Sequence, residues 1–169
     1  MSIDWTAVAA GIALFIWVAD KFQRSRERFA NRRLLAQIMT SPVGNARLEV
    51  AGLRQQLAAD GAKELQELAV AATARVALWE RVKTISVDLP SQFYDKADMF
   101  EHTTSTILAA ALSSVNEVKS AVKITAELRA NAAEQELFDH INLIGQNVIN
   151  ADSALERAFT ELTRVGRAG

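Results

Sequence analysis

The chain has no cysteine, and among its 169 residues only two are proline, seven glycine and one tyrosine. Without thiols there is no disulfide framework, no thiolate metal site and no cysteine nucleophile. Scarce proline and glycine mean few helix breakers, so the helices should be long. The glycines form neither a G-x-x-x-x-G-K phosphate loop nor a G-x-S-x-G nucleophile turn. Aromatics are also sparse at 7 %, while half the residues are hydrophobic. Much of that half is alanine, which favours thin, closely spaced helix contacts over a bulky core.

No single sign of charge dominates, since 19 Lys and Arg face 20 Asp and Glu. That balance conceals an asymmetry. Residues 1–33 hold Lys21, Arg24, Arg26, Arg28, Arg32 and Arg33 against Asp4, Asp20 and Glu27, whereas residues 34–169 carry thirteen basic against seventeen acidic side chains. A mildly acidic body argues against a nucleic-acid partner, which needs a basic face on the body itself.

Long hydrophobic runs are missing too, with one exception. From Trp5 to Ala19 the only polar side chain is the hydroxyl of Thr6. Fifteen such residues fall short of the roughly 20 that a spanning helix uses, but Ile3 and Phe22 extend the run, and Lys21 can snorkel to headgroups. Trp5 and Trp17 stand near its ends, where indoles favour the membrane interface. A cleaved signal peptide fits poorly, because the leading residues carry an acid instead of a basic n-region and Trp17-Val-Ala19 is not an A-x-A site. The expectation is a transmembrane anchor over residues 1–22, with Trp5, Ile12, Leu14, Phe15, Ile16 and Trp17 in lipid; the competing reading is a buried or interfacial helix. The basic set Lys21, Arg24, Arg26, Arg28, Arg32 and Arg33 then keeps the C-terminal body cytoplasmic and the N-terminus outside, and can also meet anionic headgroups.

Residues 23–41 read as a basic juxtamembrane helix, which Pro42 and Gly44 should stop. A cytoplasmic helical domain over 45–169 should follow. Its first helix is expected at about 45–88, with Val50, Leu53, Leu57, Leu68 and Trp79 at helical spacing, Gly61 a point where it can bend or split, and Pro90 beyond its end. The next, about 92–129, carries a heptad seam through Phe93, Phe100, Ile107 and Val118, with Ala, Ser and Thr between them. The last, about 132–165, carries a stronger seam through Leu137, Ile141, Ile144, Val148, Leu155 and Leu162. The phase of the two seams breaks at Asn131-Ala-Ala-Glu134, which has the form of a capping box, so a hairpin is expected in preference to one long helix. Gly145 should permit close helix approach. The seams either close a bundle within the chain or pair with other chains.

Chemistry is hard to find. His102 and His140 each follow an acid by one turn, Asp98 and Glu136. Such pairs suit surface ion pairing better than metal binding, because the Glu-x-x-His spacing of helical di-iron sites is absent. Asp88, Asp95 and Asp98 lack the alternation of a calcium loop. The sequence therefore points to an all-α, single-pass, membrane-anchored scaffold or accessory subunit: non-catalytic, without cofactor, metal or small-molecule substrate, its partners the bilayer and either copies of itself or another membrane protein. The alternative is a membrane-active effector that remodels or permeabilises a bilayer, for which Thr106–Leu112 is the only other strongly apolar run.

Overall fold

A computed structural model describes residues 5–59, 67–89, 99–128 and 134–167, with side chains from Leu14 onward. Among them the fold is all-α, with no strand. Four helices carry it: α1 Trp5–Ala59, α2 Ala72–Val82, α3 His102–Glu127 and α4 Glu134–Arg167. A further helical turn at 67–70 leads into α2, and 85–89 is not helical.

The core lies around α4. Leu137, Ile141, Ile144, Val148, Ala151, Leu155, Ala158, Leu162 and Val165 alternate four and three apart, and every one is buried. α1 and α3 both lie against this helix, and α2 rests on α3. Side-chain bonds fix the directions. Arg33 and Arg54 of α1 meet Gly166 and Asp152 of α4, while Thr104 and Glu117 of α3 meet Glu161 and Asn147. Both neighbours are thus antiparallel to α4, and α3 and α4 form the expected hairpin; its turn, including Asn131, lies outside the described residues.

On α3 the expected seam is buried at Thr104, Ala111, Ser114, Val118, Ala121 and Thr125, and a second stripe of Leu108, Val115 and Val122 is buried as well. Two stripes are needed because α3 meets α2 and α4 together. The buried hydroxyls are satisfied locally: Ser114 Oγ donates to the Ala111 carbonyl at 2.9 Å and Thr125 Oγ1 to that of Ala121 at 2.8 Å. Such back-bonding lets small polar residues occupy a seam without a desolvation penalty.

Several expectations need correction. Pro42 does not stop a helix at 41; α1 runs through it. A proline in a helix interior costs about 3 kcal/mol. Against that, Leu35, Met39, Val43, Val50 and Leu53 are all buried on the α4 side, at about 1.5–3 kcal/mol each, so tertiary burial outweighs the local defect. Gly44 is a contact and not a breaker: a Cβ there would stand 3.1 Å from Cε2 of Phe159, whose ring lies 5.4 Å under the Arg47 guanidinium. The helix expected over 45–88 is instead the end of α1, the turn at 67–70 and the short α2, and helical structure ends at Val82, well before Pro90; Gly61 lies outside the described residues. The described part of the next helix begins at His102, ten residues later than expected over 92–129, and the last runs to Arg167. Gly145 faces open space, since a Cβ at this position would meet nothing within 4 Å, so close approach is not its role.

The spanning helix expected over residues 1–22 is not supported: among the described residues no helix is long and apolar enough to cross a membrane. The described apolar side chains run only from Leu14 to Ala19 before Asp20 and Lys21 interrupt them. Residues 1–4 lie outside the described residues.

Candidate interaction surface on the free end of α1

α4 ends level with Arg33, whose Nε donates to the Gly166 carbonyl at 2.9 Å; Gln37 Nε2 donates to the same oxygen at 3.0 Å. These two side chains cap the C-terminus of α4, where helix carbonyls lack intrahelical donors and attract positive charge. N-terminal to this point α1 continues without a neighbouring helix among the described residues. Every described side chain from Leu14 to Ala30 is exposed. At 1.5 Å per residue α1, starting at Trp5, reaches about 40 Å beyond the end of α4, and Met99 lies beside its first part at Ser25, Arg28 and Phe29.

Leu14, Phe15, Ile16, Trp17 and Val18 are consecutive, and they remain 63, 74, 60, 58 and 37 % exposed. Five consecutive positions circle the whole helix, so this segment is apolar on every side rather than along one stripe. The anchor residues Trp5 and Ile12 have side chains outside the described set. Below this collar the six basic residues divide by role. Lys21 Nζ sits 5.0 Å from the Trp17 ring centroid, and Arg24 pairs with Asp20 at 2.9 Å on the exposed surface. Arg26 and Arg28 are exposed and meet no carboxylate among the described residues. Arg32 binds Glu101 at 2.6 Å, and Arg33 caps α4. Two of the expected lipid-facing cations therefore tie α1 to the bundle. Sequence carried no sign of this, because the partner of Arg33 is a backbone carbonyl 133 residues away.

Near the same end lies the one strongly perturbed carboxylate among the described residues. Glu161 of α4 accepts two bonds from Arg164, at 2.8 and 2.7 Å, and one from Thr104 at 2.7 Å. The Arg164 bonds first, then the Thr104 hydroxyl and the charges of Arg164 and Arg32, outweigh burial and hold its pKa at about 2, below the usual 4.5. The group is a staple across α3 and α4.

The remaining candidates fall elsewhere. Phe100, Val118, Leu137, Ile141, Ile144, Val148, Leu155 and Leu162 are buried and Ile107 half-buried, so the seams are closed inside the chain; Phe93 lies outside the described residues. Trp79 is half-buried against the core. His102 opens α3 near the level of Glu161, whereas His140 stands about 30 Å away along α4. Among the described residues no group of three His, Asp or Glu could hold a metal ion; Asp98 lies outside them. An apolar cleft runs between Leu53 and Leu57 of α1 and Leu68, Leu78 and Arg81 beyond it. Beside that region Arg75 of α2 is 2 % exposed. Its Nη1 donates to the Leu68 carbonyl at 3.1 Å, and its Nε has no partner among the described residues.

Comparison of the chain with protein-family models, curated proteins and solved structures finds no match.

Proposed function

We propose that the protein is a membrane-attached helical scaffold or accessory subunit, which holds its bundle beside a bilayer and acts by binding another protein, not by catalysis. One observation carries the reading: Leu14 to Val18 are exposed around the full circumference of a helix that projects beyond the bundle. A partner protein covers one face of such a helix, whereas lipid covers all of them. Burial at about 1.5–3 kcal/mol per large side chain makes five of them enough to hold the chain at a membrane. The apolar segment is embedded, and the cations from Lys21 to Arg28 meet the headgroups on the cytoplasmic side, where short flanking segments keep Lys and Arg.

The competing effector reading loses its second membrane-seeking element. Within Thr106–Leu112, Leu108 and Ala111 are core residues and Ile107 is half-buried.

Flotation tests the proposal. The full chain should rise through a density gradient with phosphatidylcholine vesicles, and Phe15→Asp/Trp17→Asp should stay behind with its helicity unchanged. Wild-type protein left at the bottom of the gradient would sink the reading.

A further inference from the structure

We infer that the outward backs of α1 and α4 form one face that lies on an anionic bilayer, so that the bundle reclines on lipid behind the embedded end of α1. The inference rests on the proposed membrane attachment. It adds a second contact, made by the body of the protein, and the headgroup charge which that contact selects.

The ground is the distribution of charge around the two helices. On α1 the stripe opposite the buried face runs through Ala30, Leu34, Gln37, Ser41, Leu48 and Gln55, spaced by three, four or seven residues; all are exposed and none is charged. On α4 the stripe opposite the buried heptad runs through Asn150, Ser153, Arg157, Thr160, Arg164 and Arg167, three and four apart, all exposed and without an acid. Arg157 and Arg167 meet no carboxylate among the described residues, and beside them Arg33 is bonded only to the Gly166 carbonyl. Nearby acids are neutralised or turned away. Asp152 and Glu156 pair with Arg54 and Arg47 in the seam between the two helices, and Glu161 reaches Thr104 of α3. Residues 34–169 carry thirteen basic against seventeen acidic side chains, so this is a basic face on an acidic body.

The two stripes share a side. Between them runs a shallow groove lined by Gln37, Ser41 and Leu48 of α1 and by Phe159, Thr163 and Arg167 of α4. All of its lining belongs to these two helices, and α2 and α3 add nothing to it.

Lipid is the occupant that fits. α1 is a single helix from Trp5 to Ala59, so the rod whose end is embedded also carries this face toward the bilayer. From Ile16 to Leu34 the rod rises by about 27 Å. A slope of about 20° over that length lowers the apolar end by about 9 Å, within the roughly 5–10 Å at which interfacial helices sit. The backs of α1 and α4 then rest at headgroup level. There the arginines meet phosphate, and Leu34 and Leu48, 56 and 73 % exposed, enter the apolar boundary. A second copy does not suit the face, because pairing through it would set Arg157 and Arg167 against like cations or an uncharged stripe.

The chain has no cysteine, so single cysteines can carry a polarity-sensitive nitrobenzoxadiazole label. Ser41→Cys and Ser153→Cys report on the face, Ala19→Cys on the embedded end, and Val76→Cys on α2, which rests on α3. With vesicles of phosphatidylcholine and phosphatidylserine, the labels at Ser41, Ser153 and Ala19 should shift to the blue, and the label at Val76 should not. Arg157→Glu/Arg167→Glu should bind these vesicles roughly thirtyfold more weakly, two cations fewer at an anionic surface. Its helicity and its binding to phosphatidylcholine alone should stay as in the wild type. Three results would overturn the inference: face labels that remain in water while the Ala19 label enters lipid, charge reversal without effect, or face labels that respond to soluble polyglutamate and not to vesicles. The last would assign the face to an acidic protein. All three leave the membrane attachment standing, whereas an Ala19 label that stays in water overturns that attachment and this inference with it.

Discussion

Replacing Pro42 by alanine should make the protein more stable. Pro42 is half-buried inside α1, between Met39 and Val43, which are both fully buried against α4. It gives the helix no N–H to donate to the carbonyl four residues earlier, that of Ile38, and its ring crowds that oxygen. Relative to alanine the interior proline costs about 3 kcal/mol. Part of that gain is offset, because alanine restores about 0.4–1 kcal/mol of freedom to the unfolded chain. The net expectation is a gain of about 2 kcal/mol, which for a chain of this size raises Tm by about 4–8 °C. Thermal unfolding of the full chain in mild detergent, followed by circular dichroism, gives the number, with Ser41→Ala at the exposed neighbouring position as a control that should move little. An unchanged or lowered Tm for Pro42→Ala would refute the argument; it would mean that a bend made by the proline is what keeps α1 against α4.

Two further substitutions probe the bundle. Arg75→Leu keeps volume while removing a buried guanidinium whose Nε has no partner among the described residues, and urea unfolding should show a gain of about 1–2 kcal/mol, since apolar replacements of buried charge are commonly neutral to stabilising; a loss of that size would show that the charge is needed where it lies. Glu161 has its pKa depressed to about 2, so its ionised bonds stabilise the fold above the ordinary carboxylate pKa near 4.5, and that contribution disappears as pH falls through 2. Glu161→Gln should therefore cost about 1 kcal/mol at neutral pH, kept small by the solvent around Arg164, and the gap between variant and wild type should close in acid. A gap independent of pH would refute the assignment to charge.

The α4 seam was legible because a heptad is written in the residues that form it: Leu137 to Val165 are read and buried in the same register. The α3 seam was legible for the same reason, although its second stripe of Leu108, Val115 and Val122 was not, since its burial depends on α3 meeting a second neighbour besides α4. Pro42 and Gly44 misled because their local cost is plain in sequence while the compensation is not. It comes from α4, more than a hundred residues on, through Phe159 and the surface that receives Met39 and Val43. Treating Pro42 as a stop also hid the continuity of α1 from Trp5 to Ala59. Arg32 and Arg33 were read with the other cations by proximity, and only the position of the α4 terminus separates them. Arg75 was unremarkable in sequence, as nothing in a short alanine-rich stretch marks which cation will be enclosed.

α1 is one rod from Trp5 to Ala59, with no joint between its free end and its core-forming half. Orientation is therefore inherited along its length: whatever fixes the first twenty residues also fixes the azimuth of the bundle, which cannot swivel as it would on a flexible tether. Phase is inherited as well. One residue inserted between Phe22 and Phe29 would turn everything N-terminal to it by about 100° relative to the bundle, whereas a seven-residue insertion would lengthen the rod by about 10 Å and return the two halves to register. The distance from free end to core can thus change only in heptad steps if both halves are to face the same way.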